Sequence, residues 1–233
     1  MIVEFIKNIG ETMNQTIDRF KKEYLINDKS KIAFAGRLDP LAFGKIILLT
    51  DDDIYKKELY CGKNKLYKCT IVHGIQTDTY DVMGKIVSFK EWEPFFENAE
   101  NLDYEQIYPM FSSINVIQNG MRKPLWYYEK NNIKVEKIPS KEVKLFYGKK
   151  IDNDEIISSE ELLKIIEDRI AKVTINTFRQ DEIVSIWKNE LQKYSEIKIS
   201  KWEFKISSWG YIRYLANKMN GCCFDIERIK YYE

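Results

Sequence analysis

The segment Gly36-Arg37-Leu38-Asp39-Pro40 sets one carboxylate at the tip of a polar loop inside the apolar stretch KIAFAGRLDPLAFGKIILLT, residues 31–50. Pro40 biases the backbone of Asp39 toward an extended conformation, which projects the side chain out of the turn. A carboxylate so placed can attack an electrophilic carbon. Read alone, an aspartate that only organises an Asp-Pro turn is the plainer account. Two-acid glycoside hydrolysis would need a second carboxylate, and none stands at an informative spacing from Asp39.

The other groups with chemical potential are scattered along the chain. Tyr67 sits in the strand-like run Leu66 to His73, and Arg213 in the closing YIRYLANKMNG segment. A core tyrosine and a helix-surface arginine account for these two equally well. Thr77, Asp78, Thr79 and Asp81 form a polar cluster suited to a cation or to ribose hydroxyls, and a carboxylate-rich turn ending in Gly84 explains it as readily. His73 is the only histidine and no C-x-x-C is present, so no metal site is expected. The lysines at 63, 65, 68, 141, 144, 149 and 150 could track a polyanion backbone, or simply be solvated.

These residues need elements to hold them. Thr12 can cap a helix whose Met13, Ile17, Phe20 and Tyr24 share a face. Ile46 to Leu49 reads as a buried strand after the Asp39 loop. Leu66 to His73 and Lys85 to Phe89 read as a hairpin-like pair across the turn-rich residues 76–84. Residues 108–150 mix aromatics with lysines and show no clean period, so irregular structure with short strands and a helical turn is expected there. Ser158 with Glu161 forms a capping box ahead of Leu162, Ile165, Ile166 and Ile170. Lys201 to Ser207 alternates strictly, then turns through Ser208-Trp209-Gly210 into a helix stopped by Asn220-Gly221.

The bulk properties bound the reading. The chain has 233 residues, 44% hydrophobic and 14% aromatic, enough for a sizeable core. Its 37 basic and 36 acidic residues nearly cancel, so nothing global suggests a polyanion partner. Cys61, Cys69, Cys222 and Cys223 match neither a disulfide framework nor zinc knuckles, which fits a reducing compartment. Glu4 and Lys7 interrupt any signal-like run, and no stretch approaches the roughly 20 apolar residues of a membrane span. A soluble, cytoplasmic protein is expected. With no repeat or linker, residues 1–233 are read as one domain of α+β class, a mixed, mostly antiparallel sheet flanked by helices and loops.

Four separated blocks in order resemble the TruB family of RNA pseudouridine synthases. GRLDPLAFGKIILL is similar to its G-x-L-D-P-x-A-x-G loop and following strand, and NKLYKCTIVHGIQTDTYDVMG to its tyrosine-bearing strand and T-D-T-x-D-x-x-G loop. YPMFSSINVIQNGMRKPLWYY is a looser likeness to the segment bordering an RNA-binding thumb, and SSWGYIRYLA resembles S-x-G-T-Y-I-R-x-L-A. KNIGETMN sits where the family has K-P-x-G-x-T-S, with Asn8 in place of proline. The resemblance implies the pseudouridine synthase catalytic fold and no cofactor. It implies an RNA partner, with the T-loop uridine of tRNA as target. It carries catalytic roles to Asp39 as nucleophile, Tyr67 as stacking and proton-handling ring, and Arg213 as the partner of Asp39. Substrate contacts are expected at Lys7, Phe34, Arg37, Asp81 and Tyr211, and a thumb-like RNA-binding segment over about 108–150. Phe34 in place of a common histidine and Asn115 in place of a lysine bear on specificity. No C-terminal PUA domain is expected, nor any oligomer. The competing reading is a catalytically idle RNA-binding or RNA-folding protein on the same scaffold.

Overall fold

The computed structural model describes residues 1–175 and 177–232. Strand β1 (Ile2–Lys7) leads into helix α1 (Met13–Glu23), then β2 (Ile32–Ala35) and β3 (Ala42–Thr50) flank the Asp39 loop. A 3-10 turn and helix α2 (Lys57–Cys61) precede the long β4 (Asn64–His73), with β5 (Ile75–Thr77), β6 (Ile86–Phe89) and β7 (Ala99–Ile107) beyond it. Strands β8 (Asn115–Gln118) and β9 (Met121–Pro124), helix α3 (Leu125–Lys130) and strand β10 (Ser140–Lys150) fill the middle. The chain then runs through β11 (Glu155–Ser158), α4 (Ser159–Ala171), α5 (Gln180–Leu191), β12 (Glu196–Ile206), α6 (Ile212–Lys218) and β13 (Gly221–Tyr232).

One sheet organises these elements in the order β1-β3-β13-β4-β12-β10-β7, with β2 added beside β3 and β11 beside β12. Every pairing is antiparallel except β13 with β3. The architecture is therefore α+β with a mixed, mostly antiparallel sheet, as the sequence leads one to expect. Side chains alternate across the sheet. Tyr67, Cys69, Trp202, Phe204 and Ile206 pack on one face with Leu38, Ile212 and Leu215. Val72, Ile197 and Ile199 pack with Leu162, Ile166, Ile170, Ile183 and Trp187 of α4 and α5. Each such side chain, fully buried, contributes about 1.5–3 kcal/mol. Helix α1 covers β1 and β3 through Met13, Phe20, Phe5, Ile46 and Leu48.

Several local expectations change. The partner of β6 is β5, not β4, because Gly74 turns the chain at φ +72° and the whole of β4 is taken by β12 and β13. Residues 108–135 do form short strands and a helical turn around Tyr108, Leu125 and Tyr128, but Ser140–Lys150 is a long strand of the main sheet, between β12 and β7. Ser158 caps α4 by accepting from the Glu161 amide, whereas the full reciprocal box stands at Thr12 with Gln15. Helix α5, unforeseen, is pinned by Trp187, whose Nε1 donates to the Gly84 carbonyl at 3.0 Å. Trp187→Phe is expected to lower stability by about 2–4 kcal/mol through the orphaned carbonyl and lost volume, with an unchanged urea m-value. A urea midpoint indistinguishable from wild type would show that this contact does not hold the helix.

Candidate active site

The Asp39 loop owes its shape to glycines and buried cations. Gly36 and Gly44 sit at φ +76° and +100°, and a Cβ on Gly44 would lie 2.4 Å from the Arg228 carbonyl oxygen, so only glycine fits there. Beneath the loop, the Lys7 ammonium is wholly enclosed and donates to the carbonyls of Asn8, Pro40 and Ala42 at 3.1, 3.1 and 2.6 Å. Burial lowers its pKa to about 8 despite the nearby Asp39 and Glu11 carboxylates. Arg228 of β13 donates to Lys45 and Gly36 carbonyls at 2.6 and 3.0 Å. Thus the carbonyls on both sides of Asp39 are tied to the sheet.

Arg213, on the first turn of α6, reaches Asp39 from the opposite side. Its Nε donates to Asp39 Oδ2 at 2.8 Å, its Nη2 to the Phe111 carbonyl at 3.2 Å and its Nη1 to the Thr79 carbonyl. Asp81 Oδ2 lies 3.7 Å from the same Nε. Burial works against the guanidinium charge, yet the Asp39 and Asp81 carboxylates outweigh it and push its pKa up. The Asp39 side chain keeps 31% of its surface exposed, while that of Arg213 keeps 3%. Asp39 is thus a carboxylate open to solvent on one side and fixed by a buried cation on the other.

The open side faces a cleft of about 170 Å³. Asp39, Arg37, Tyr67, Tyr211 and Arg213 line it together with Leu38, Ile212 and Ile226. Tyr67 of β4 is buried at its apolar wall, opposite Phe204 and Arg228 in the sheet. Tyr211 caps α6, its amide donating to Gln106 Oε1 at 2.7 Å and its ring meeting Tyr108 edge-on. Burial raises its phenol pKa, and Asp39 adds to that.

Three expected substrate contacts stand elsewhere. Lys7 lies under the loop and is absent from the cleft wall, so it positions Asp39 from behind. Phe34 also lies outside the wall, packed with the α1 cluster and approached by Arg37 and Lys57. Asp81 is buried behind Arg213, where Oδ1 accepts from Thr79 Oγ1 at 2.6 Å and from the Met83 amide at 3.0 Å. Burial first, with help from Asp39, raises its pKa to about 6 against the pull of Arg213 and these two donors.

Two further residues line the wall: Lys65, expected only as one of several lysines that could track a polyanion, and Arg228, which the sequence reading did not single out. Lys65 is buried, bonded to the Cys61 and Lys63 carbonyls at 2.7 and 2.6 Å, and burial with nearby Arg228 lowers its pKa to about 8. Arg228 stands beside it, and no carboxylate pairs with either cation among the described residues. The period-two relation of residues 65 and 67 was the available signal for Lys65, while Arg228 lay in a strand that was not foreseen. Among the described residues no cluster of histidine, cysteine or acidic groups could hold a metal ion, and no helix is long and apolar enough to cross a membrane.

The family model of TruB family pseudouridylate synthases (N terminal domain) matches residues 22–159, more than half of the chain. The chain belongs to the TruB family. A tRNA pseudouridine synthase B of Mesoplasma florum is 35% identical over 148 residues, which are 58% of this chain and 49% of that protein. One from Ureaplasma urealyticum is 31% identical over 172 residues, covering 71% of this chain and 70% of the relative. The chain thus spans about half the length of the first of these TruB relatives. Among solved structures, the archaeal box H/ACA sRNP Nop10-Cbf5 complex matches over 99% of this chain and 47% of that one, with TM-score 0.50 and 11% identity. That likeness is one of fold.

The Asp81 environment makes stability depend on pH in a defined direction. Between its ordinary value of 3.8 and its native value of about 6, the folded chain holds a proton the unfolded chain lacks. Stability from this group therefore rises as pH falls through that window. Wild type is expected to gain on Asp81→Asn by roughly 1 kcal/mol per pH unit from pH 6 to 4. Urea midpoints of the two proteins at pH 7, 6, 5 and 4 measure this, and a constant gap would contradict the assignment.

Proposed function

We propose that the chain is an RNA pseudouridine synthase that isomerises uridine, with the T-loop uridine of tRNA as its target. One observation carries this reading: the Asp39 carboxylate, half open to a cleft walled by Tyr67, is fixed at 2.8 Å by the buried Arg213. Family membership and the tRNA pseudouridine synthases B among its relatives support the substrate.

The reaction breaks the N1 glycosidic bond, turns the base and joins C5 to the sugar. It is a redox-neutral rearrangement that ends with the C5 proton lost and a proton gained at N1, so it calls for positioned groups and no cofactor. The base enters the cleft only after leaving the RNA stack, and Tyr67 offers the replacing ring face. Arg213 occupies Oδ2 of Asp39, and Oδ1 has no hydrogen bond among the described residues, which leaves it as the attacking oxygen. Tyr67 takes part in removing the C5 proton, directly or by relay. Arg37 and Tyr211 border the nucleotide. Residues 1–233 act as one catalytic domain in the cytoplasm, with the part of 108–150 that precedes the sheet strand Ser140–Lys150 as the RNA-facing thumb, since its Tyr108 cluster reaches Tyr211 at the cleft.

Incubating wild type, Asp39→Ala and Tyr67→Phe with unmodified tRNA transcript, then mapping pseudouridine at nucleotide resolution, tests the proposal. Wild type is expected to modify the T-loop site. Asp39→Ala should yield no product, and Tyr67→Phe should bind RNA normally while turning over at least about a hundredfold more slowly. Modification at another site would change the target and keep the chemistry. Binding without product in wild type would favour the idle RNA-binding reading.

A further inference from the structure

Trp209 stands at the rim of the same cleft as Asp39 and Arg213, with 44% of its surface exposed. Its backbone is left-handed, at φ +70°, a conformation that bulky side chains rarely adopt and glycine adopts freely. Written against S-x-G-T-Y-I-R, the run SSWGYIR puts this tryptophan where the element has its glycine. Folding alone therefore gains nothing from an indole here.

The surrounding structure nevertheless imposes the conformation. Gln106 is fully buried and clamps the turn from both sides, its Nε2 donating to the Trp209 carbonyl at 3.1 Å and its Oε1 accepting from the Tyr211 amide at 2.7 Å. Gly210 is pressed onto β12, where an added Cβ would lie 2.3 Å from Ile206 Cδ1. Among the described residues no other aromatic ring packs on Trp209. What does approach it is a cation, Lys141 Nζ, 5.6 Å from the ring centroid. Lys141 is exposed and sits opposite Gln106 in the β7–β10 ladder, so the residue whose side chain clamps the Trp209 turn also sets the place of Lys141 beside it.

A strained, solvent-facing ring held beside a lysine at the mouth of a nucleotide-sized cleft offers a stacking face for a base and a charge for its phosphate. We propose that Trp209 and Lys141 form a binding subsite for the unpaired nucleotide adjoining the one that enters the cleft, with Trp209 stacking on its base and Lys141 meeting its phosphate. This rests on the reading of the cleft as an RNA site, and it adds a specificity-determining residue outside the Asp39 chemistry.

The test compares wild type with Trp209→Gly, Trp209→Phe and Lys141→Gln, using a T-arm RNA stem-loop as probe. Affinity is read by fluorescence anisotropy, turnover by pseudouridine mapping and stability by thermal midpoint. Trp209→Gly is expected to melt at or above the wild-type temperature, because glycine relieves the backbone, and to bind the RNA tenfold or more weakly. The loss should fall on KM, with kcat on saturating RNA changed less than threefold. Trp209→Phe should recover most of the affinity, and Lys141→Gln should flatten the salt dependence of binding by about one unit of slope. Wild-type affinity in a stable Trp209→Gly protein would overturn the proposal, as would a drop in its melting temperature that accounts for the weaker binding. If wild type binds the stem-loop but makes no pseudouridine in any RNA, the synthase reading falls while the affinity ratios still decide this subsite. If wild type is active and the ratios stay at one, only the subsite falls.

Discussion

The burial of one guanidinium, that of Arg213, governs how the rest of the site is assembled. A charge taken out of water with no partner costs several kcal/mol, and truncating one member of such a pair leaves the other stranded. Arg213 avoids this by drawing in four groups from three separate segments: the Asp39 carboxylate, the Phe111 carbonyl, and the Thr79 carbonyl with the buried Asp81. The strand-to-helix corner between β12 and α6 is therefore locked to the 77–84 loop, to the 108–113 segment and to the loop after β2. Losing any of these partners would release the others, which makes the site a cooperative unit rather than a set of independent contacts.

The Asp39 loop is held by a different device, and the difference matters for chemistry. Lys7 and Arg228 grip it through backbone carbonyls, leaving its one carboxylate to Arg213 alone. Had either cation paired with Asp39 directly, both carboxylate oxygens would be spent. Instead the loop is rigid in its backbone while one oxygen stays available, and rigidity without saturation is what the proposed nucleophile needs.

Legibility from the sequence followed the local chemistry. The Asp-Pro loop, the capped helix after Thr12 and the strict alternation of Lys201 to Ser207 each carry their cause within a few residues, and the fold class follows from them. Helix α5 was missed because its start bears no recognisable cap: Arg179 holds the N-cap position in a left-handed conformation, and its side chain makes no capping bond but pairs with Asp78 instead. The long β10 was hidden by a bulge between Leu145 and Tyr147. The central β13 was hidden twice over, by bulges at Cys223/Asp225 and Arg228/Lys230 and by a buried arginine in its middle. The placements of Lys7, Phe34 and Asp81 were legible as neighbours of the site but not as lying behind its wall. Which side of a loop a residue occupies is fixed by packing between distant segments, and spacing along the chain does not encode it.

The same distance effect resolves an apparent contradiction between composition and the proposed partner. The chain is nearly neutral, with formal net charge +1, yet the cleft gathers Arg37, Lys65, Arg213 and Arg228 against the single carboxylate of Asp39. Folding sorts the acids elsewhere, as in Glu11 with Arg19, Asp78 with Arg179 and Asp225 with Arg169. Of these cations, Lys65 and Arg228 satisfy their hydrogen bonds on carbonyls, which solvate them without cancelling their charge. A polyanion approaching this cleft meets a concentrated positive field, since two unit charges 4 Å apart near a protein surface interact by about 4 kcal/mol. Attraction for a polyanion is therefore a property of where the loops converge, and a protein with no basic excess can possess it.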